Sequence, residues 1–365
     1  MKEIEIIDVV EEEPKKTKKS NKTKKNTKNK KKNKVNFWFK TFLILDVLAA
    51  ICLVIVYGPW DGFRNFWVTS SMTTMTHKYL ARTLYSEEEI QRTLNKNTVE
   101  MIDQNTDVSA IVFSDNKDTG VYESVHEEQI LKREDGNDLY KKFTIKVNNS
   151  TAHVTVIYDP SRIHYATSSK INNGGQKLVD LAKENEAIIA MNASAFSKKG
   201  RKLTPLGVVI KEGKILYEGA LARDWGIVGF TKEHVLMLTT KSAKEAVADG
   251  MWDAMTFGPL LYVNGQAAKI KGNGGYGYAP RTVIAQRKDG IVLFIVFDGR
   301  DLGKRALGAS MNDLIEILTR YKAYNAANLD GGGSSTLVIN NEVVNETGGW
   351  SYSGDRYIPD AWIVK

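Results

Sequence analysis

Residues 37–60 constrain this chain more than any other stretch. Their centre, Phe42-Leu43-Ile44-Leu45 and then Val47 through Tyr57, is apolar for long enough to cross a bilayer, whose core takes about 20 helical residues. Asp46 is the one charge inside the run. Trp38 and Trp60 stand at its two edges, as interfacial aromatics do. Twelve lysines lie between Lys15 and Lys34, a flank that argues against a buried core helix. No small-residue cleavage site follows Tyr57, so a removed signal peptide is not expected. The run therefore predicts a single-pass anchor in the cell membrane. The lysines stay cytoplasmic and the chain after Gly58 is extracellular.

That flank also distorts the charge balance. The formal net charge is +8, yet without those twelve lysines 39 basic residues face 43 acidic ones. A nucleic-acid partner is not expected for so balanced a body. The Lys/Asn/Thr tract of residues 1–34, opening with Glu11, Glu12 and Glu13, has too little apolar surface to offset its ordering entropy and is expected to be disordered. Cys52 is the single cysteine, which excludes a disulfide framework and a thiolate metal cluster. Residues 61–105 lean towards helix, with Ser86-Glu87-Glu88-Glu89 fitting a capping box and Met72, Met75, Tyr79, Leu80 and Leu84 forming an approximate stripe. They are expected to pack on the following domain or to form a helical stalk.

From residue 106 to 365 the pattern changes to short strands. Stretches 108–113, 142–147, 152–158, 187–191, 207–210 and 214–217 are β-branched or alternating, as are 226–230, 235–239, 260–263, 282–285 and 291–297. Lys211-Glu212-Gly213, Val263-Asn264-Gly265 and Lys288-Asp289-Gly290 supply turns between them. Two helices stand out, 175–185 and 310–321; the second opens with Ser310 and Asp313 and aligns Leu314, Ile317, Leu318 and Tyr321. The fold class is α+β, a large mixed β-sheet domain with a few helices.

Four polar segments fall where strands should end: Met191-Asn192-Ala193-Ser194-Ala195-Phe196, Pro280-Arg281-Thr282, Asp298-Gly299-Arg300 and Asp330-Gly331-Gly332-Gly333-Ser334-Ser335. Loops at sheet ends are where a rigid scaffold mounts functional groups. Each segment alone reads as a turn or a surface ion pair. Together they supply carboxylates, guanidiniums, an amide, hydroxyls and a glycine bend, a set suited to an anionic sugar ligand. The bend lacks the Gly-Lys-Ser/Thr ending of a phosphate-binding P-loop. The five histidines, His77, His126, His153, His164 and His234, are not spaced as metal ligands or beside a nucleophile motif. No metal and no cofactor is implied. Gly272-Asn273-Gly274-Gly275-Tyr276-Gly277 reads as a flexible loop near the site, and Asp115-Asn116-Lys117-Asp118 as a turn rather than an EF-hand loop.

In this order the segments resemble the phosphodiester glycosidase family, from about residue 108 onward. The strongest part is Tyr324-Asn325-Ala326-Ala327-Asn328-Leu329-Asp330-Gly331-Gly332-Gly333-Ser334-Ser335-Thr336, which is similar to the family's signature. Thr204-Pro205-Leu206-Gly207, Phe257-Gly258-Pro259, Pro280-Arg281-Thr282, Asp298-Gly299-Arg300, Gly308-Ala309-Ser310 and Asp355-Arg356…Asp360-Ala361 also match. Ser194 and Ala195 depart from the usual Gly-Phe-Phe pattern, and Gln286 stands where Gly is common.

The resemblance implies hydrolysis of a sugar-1-phosphodiester at the anomeric carbon, of the N-acetylhexosamine-1-phosphate type, in envelope or exopolysaccharide glycans. On that reading Arg281, with Arg300 and the backbone of Gly331, Gly332, Gly333, Ser334 and Ser335, holds the phosphate. Asp330 or Asp298 is nucleophile or general base, and Asn192 positions a sugar hydroxyl or N-acetyl group. A separation of about 5–5.5 Å between the carboxylates would favour retention and about 6.5–9.5 Å inversion. The departures at Ser194 and Ala195 motivate an alternative, a non-catalytic phosphoglycan-binding module in polymer assembly. A metal-dependent phosphodiesterase is disfavoured by the absence of His/Asp ligand spacing.

Overall fold

The structure, a computed structural model, describes residues 23–74, 77–102, 104–113, 118–134, 137–169, 174–200, 202–219, 225–347 and 356–365, with side chains from residue 36. The chain divides into two compact units, Met1–Trp60 and Asp61–Lys365.

In the first unit one helix runs Thr23–Tyr57, and its segment Asn36–Tyr57 is long and apolar enough to cross a membrane. Phe39 and Leu53 keep 68% and 58% of their surface exposed. The helix begins inside the tract expected to lack structure. Lysine is a good helix former, and extending an existing helix avoids the cost of nucleating a new one. Residues 1–22 lie outside the described residues.

In the second unit, three antiparallel sheets surround one apolar core. A seven-stranded sheet has the order Gln266–Ala267, Leu260–Val263, Ala323–Leu329, Thr282–Arg287, Val292–Phe297, Ser150–Ile157, Tyr140–Val147. A five-stranded sheet runs Glu342–Val343, Leu337–Ile339, Ile189–Asn192, Asp360–Val364, Ile163–Thr167. The third runs Leu236–Thr239, Gly226–Thr231, Met251–Phe257, Val208–Lys211, Lys214–Glu218. Ile284, Phe294 and Leu329 of the first sheet, Met191 and Trp362 of the second, and Val228 and Met255 of the third meet in that core.

Alternation leaves each sheet an outer apolar face, and each is covered by a helix. Met311–Arg320 buries Met311, Leu314, Ile317 and Leu318 on the first sheet, and Leu178–Glu184 covers the second. Ala243–Ala248 covers the third. Ser310 and Asp313 close a reciprocal capping box, satisfying two otherwise orphaned amides at the start of the first of these helices.

Three expectations change. Residues 61–105 are not a separate stalk but part of the second unit. Asp61–Met72, Tyr79–Leu84 and Glu87–Lys96 are helices, and Val99–Glu100 pairs with Lys269–Ile270. Thr69 Oγ1 accepts from Asn273 Nδ2 at 2.9 Å, tying the first helix to the glycine-rich loop. The buried apolar side chains here include Val68, Ala81, Tyr85 and Ile90, whereas Tyr79 of the expected stripe is exposed and Met75 lies outside the described residues. Stretch 108–113 is not a strand: Asp107 accepts from Ser109 N and Oγ and winds Val108–Ala110 into a 3-10 turn. The loop at 272–277 is held, because Asn273 N donates to Asn97 Oδ1 and the Tyr276 and Gly277 carbonyls accept from Arg281. Of the proposed turn at 115–118, only Asp118 is described.

Candidate active site

Strand register brings the polar segments together. Thr282 pairs with Val296 on one side and Leu329 on the other, and Phe297 N donates to Arg281 O at 2.8 Å. Arg281, Asp298 and Asp330 therefore lie at one end of three adjacent interior strands of the seven-stranded sheet. Neighbouring strands are about 4.8 Å apart, which sets the backbones of Asp298 and Asp330 about 10 Å apart across the central strand.

Backbone convergence does not carry every side chain to the same place. The Arg281 guanidinium turns to the helix-covered outer face. Nε donates to Ala309 O at 3.0 Å, and Nη2 donates to Tyr276 O at 2.9 Å and Gly277 O at 2.6 Å. Burial lowers its pKa to about 10, and among the described residues no carboxylate bonds to it. Thr282, its neighbour, points the other way, donating to Asn192 Oδ1 at 3.0 Å. Opposite faces for successive residues are what a strand imposes. Arg281 thus clamps a loop through Nε and Nη2.

The glycine bend is also more occupied than its sequence implies. Gly332 N donates to Pro280 O at 2.8 Å, Ser334 N to Gly331 O at 3.2 Å and Ser335 N to Gly332 O at 3.3 Å. The glycines answer to close packing: a Cβ on Gly331 would sit 2.6 Å from Pro280 O, and Gly332 has a φ of +61°. Asn192 is buried with both ends of its amide engaged. Nδ2 donates to Asp330 O at 2.6 Å, while Oδ1 accepts from Thr336 N and Thr282 Oγ1, both at 3.0 Å. Its geometry is that of a brace for the Asp330 loop rather than of a sugar contact.

Asp330 stands at the mouth of this arrangement, partly exposed but closely surrounded by protein. Burial drives its carboxyl up to about 6, against the opposing pull of the Ser334 hydroxyl, Arg356 and the Gly331 amide; Asp360 adds to the rise. Arg356 Nη1 donates to Ser334 Oγ at 3.4 Å, and its guanidinium lies 4.8 Å from the centre of the Phe196 ring. Stacking on an aromatic face fixes the orientation of an arginine. Arg356 was legible only as part of the Asp355-Arg356…Asp360 match, with no role attached.

Asp298 lies under the segment Asn345-Glu346. Its Oδ1 contacts His153 Nε2 at 2.8 Å and accepts from Glu346 N at 2.8 Å. Burial pushes this carboxyl up, but hydrogen bonds from His153, the Glu346 amide and Thr151 outweigh it, and it titrates below the usual carboxylate range. Asn345 links the two halves of the site, donating from Nδ2 to Ser335 O at 3.1 Å. Arg300 is exposed, with Nη2 donating to Tyr278 O at 2.7 Å.

The sequence departures lie inside the protein. Ser194 is buried, donating from N at 2.8 Å and from Oγ to Asp360, whose carboxyl is raised by burial. Ala195 is buried beside it. Gln286 accepts from Leu236 N at 2.6 Å and donates to His234 O and Gly290 O, stapling two sheets at the far end of its strand. Among the described residues no three His, Cys, Asp or Glu side chains cluster as a metal ligand set. Two depressions of about 400 and 370 Å³ flank the helix Leu178–Glu184, one beside Asn340 and the other beside Tyr357. Neither includes Asp298 or Asp330.

Residues 185–365 match the family model described as phosphodiester glycosidase. The chain's C-terminal half belongs to that family. The matched region contains Asn192, Arg281, Asp298, Asp330 and Arg356. The SPbeta prophage-derived uncharacterized protein YomE of Bacillus subtilis (strain 168) is 26% identical over 222 residues, which cover 55% of this chain and 32% of that protein. The chain thus spans about a third of the length of the curated relative it matches. The catalytic domain of zebrafish N-acetylglucosamine-1-phosphodiester alpha-N-acetylglucosaminidase, solved in a form auto-inhibited by its pro-peptide, superposes with a TM-score of 0.51 at 19% identity. That superposition covers 63% of this chain and 85% of the zebrafish chain, and it shows a shared fold.

Proposed function

We propose that this chain is a membrane-anchored phosphodiester glycosidase that hydrolyses sugar-1-phosphodiesters of the N-acetylhexosamine-1-phosphate type in extracellular glycans. The observation that carries this reading is the Asp330 carboxyl, raised to about 6, beside the Arg356 guanidinium and the Ser334 hydroxyl. Arg356 and Ser334 bind the phosphate oxygens and stabilise the charge that grows as the C1–O bond breaks. A phosphomonoester is a good leaving group, so charge neutralisation matters more than protonation. Ionised Asp330 acts at C1, as nucleophile or as the base that takes a proton from water. Water oxygen ends on the sugar, and the phosphate leaves on the other alcohol. Asp298 stays ionised, orients His153 and ties the Glu346 backbone in place. The apolar helix anchors the protein, with its lysine flank on the cytoplasmic side.

The test is turnover of a UDP-linked or aryl-phosphate N-acetylhexosamine donor in labelled water. The label is expected in the sugar. Asp330→Asn should lose at least 100-fold in kcat, and Arg356→Ala should lose about 10–100-fold in kcat/KM. Unchanged turnover in both variants, or label in the phosphate, would overturn the assignment. A non-catalytic phosphoglycan module finds little support, because Ser194 and Ala195, its motive, face Asp360 and the core.

A further inference from the structure

We infer that the glycan taken by this site is a polyanion, charged on repeats beside the one cleaved and held by a lysine hairpin next to Arg356. This rests on the reading of Asp330 and Arg356 as the phosphodiester site. The hairpin consists of the strands Phe196–Lys199 and Lys202–Pro205, paired from Phe196 opposite Pro205 to Lys199 opposite Lys202. Its root is fixed: Phe196 is buried and carries Arg356 on its ring, and Leu203 packs in the core under the helix Leu178–Glu184. Its tip presents Lys198, Lys199 and Lys202, all exposed. Four strand residues extend about 13 Å, so the tip lies beyond the reach of a single phosphodiester held at Arg356.

Folding does not account for these lysines. Lys199 and Lys202 are direct cross-strand partners, and like charges so placed destabilise a hairpin. Among the described residues no carboxylate lies within ion-pair distance of any of the three. Lys241, Lys271 and Lys304, by contrast, each lie against one. The cluster also stands on a body whose charges are otherwise close to balance, 38 basic against 37 acidic residues from 35 to 365. On the other flank Arg300 is exposed and, among the described residues, donates to the Tyr278 carbonyl. Cations thus stand on both sides of Asp330, an arrangement that complements a chain of anions rather than one.

The test uses residues 61–365, which hold all four apolar clusters and exclude the N-terminal lysines. Two synthetic probes are compared at low salt: a single N-acetylhexosamine-1-phosphate methyl diester, and an oligomer of four such repeats. The oligomer should bind at least tenfold more tightly. In the triple variant Lys198→Ala/Lys199→Ala/Lys202→Ala the oligomer should weaken about tenfold and the single diester should hold unchanged, as expected for three exposed ion pairs. Raising the salt should erase the difference. Equal affinity of the wild type for both probes, or an oligomer affinity unmoved by the triple variant, overturns the inference. Length-dependent binding without hydrolysis of either probe would instead remove the catalytic reading and leave the polyanion site standing.

Discussion

Asp330 and Asp298 are the same residue type at the ends of the two strands that flank Thr282–Arg287, yet their environments separate them. Crowding without a full set of donors raises Asp330, while two donors on one oxygen, His153 Nε2 and Glu346 N, hold Asp298 down. With Asp330 working as an anion, kcat/KM should rise through a midpoint of about pH 6. The profile should lose that limb in Asp330→Asn, as measured on the slow residual rate. The same shift has a stability consequence. The folded pKa of about 6 lies above the ordinary 3.8, so the folded state holds its proton more tightly and stability falls as pH rises between those values. A shift of this size corresponds to about 3 kcal/mol, and partial exposure reduces it to about 1–2 kcal/mol. Asp330→Asn should therefore be more stable than the wild type at pH 7.5 by that amount in urea unfolding, and no more stable at pH 4. A variant less stable at pH 7.5 would contradict the origin given for the shift.

At the scale of elements, the four polar segments were visible as strand ends, and the structure does set them on one side of the molecule. Their internal wiring was not visible. Alternation says that Arg281 and Thr282 face opposite ways, but not which face looks towards Asp330; that depends on which sheet and which helix pack on each side. The triple glycine was equally ambiguous, since bare amides for a ligand and close approach to Pro280 call for the same residues. Asn192 shows what the loop costs to hold. Asn192→Ala would strand the Thr336 amide and the Asp330 carbonyl, and should destabilise the second unit by about 2–4 kcal/mol in urea unfolding. Activity should fall with it even where the protein is still folded. A loss below about 1 kcal/mol would mean that the brace is not what holds the loop. The strands Ile163–Thr167 and Met251–Phe257 escaped reading because His164 and Asp253 interrupt their apolar pattern. Asp253 is tolerated in the interior because it accepts from the Glu212 and Tyr165 amides.

Across the whole molecule the two units differ in the solvent they need. The first exposes its large apolar side chains, and the second buries its own around three sheets. Removing residues 1–60 should leave a soluble domain whose melting temperature stays within about 2 °C of the full chain in detergent, a shift worth less than about 1 kcal/mol. A larger drop would mean that residues 1–60 contribute to the domain's stability. What the sequence determined by itself were the features written in short-range order: a bilayer-length apolar run, the two-residue period of most strands, the cap of the Met311–Arg320 helix, and the polar strand ends that carry Asp298 and Asp330. The tertiary structure alone decided which guanidinium meets which carboxylate. It places Arg356 on Phe196 beside Asp330 and sends Arg281 to three carbonyls on the opposite face. Local pattern fixes period and propensity through the backbone, whereas a carboxyl's pKa and an arginine's partner depend on groups far along the chain that meet only when the sheets close.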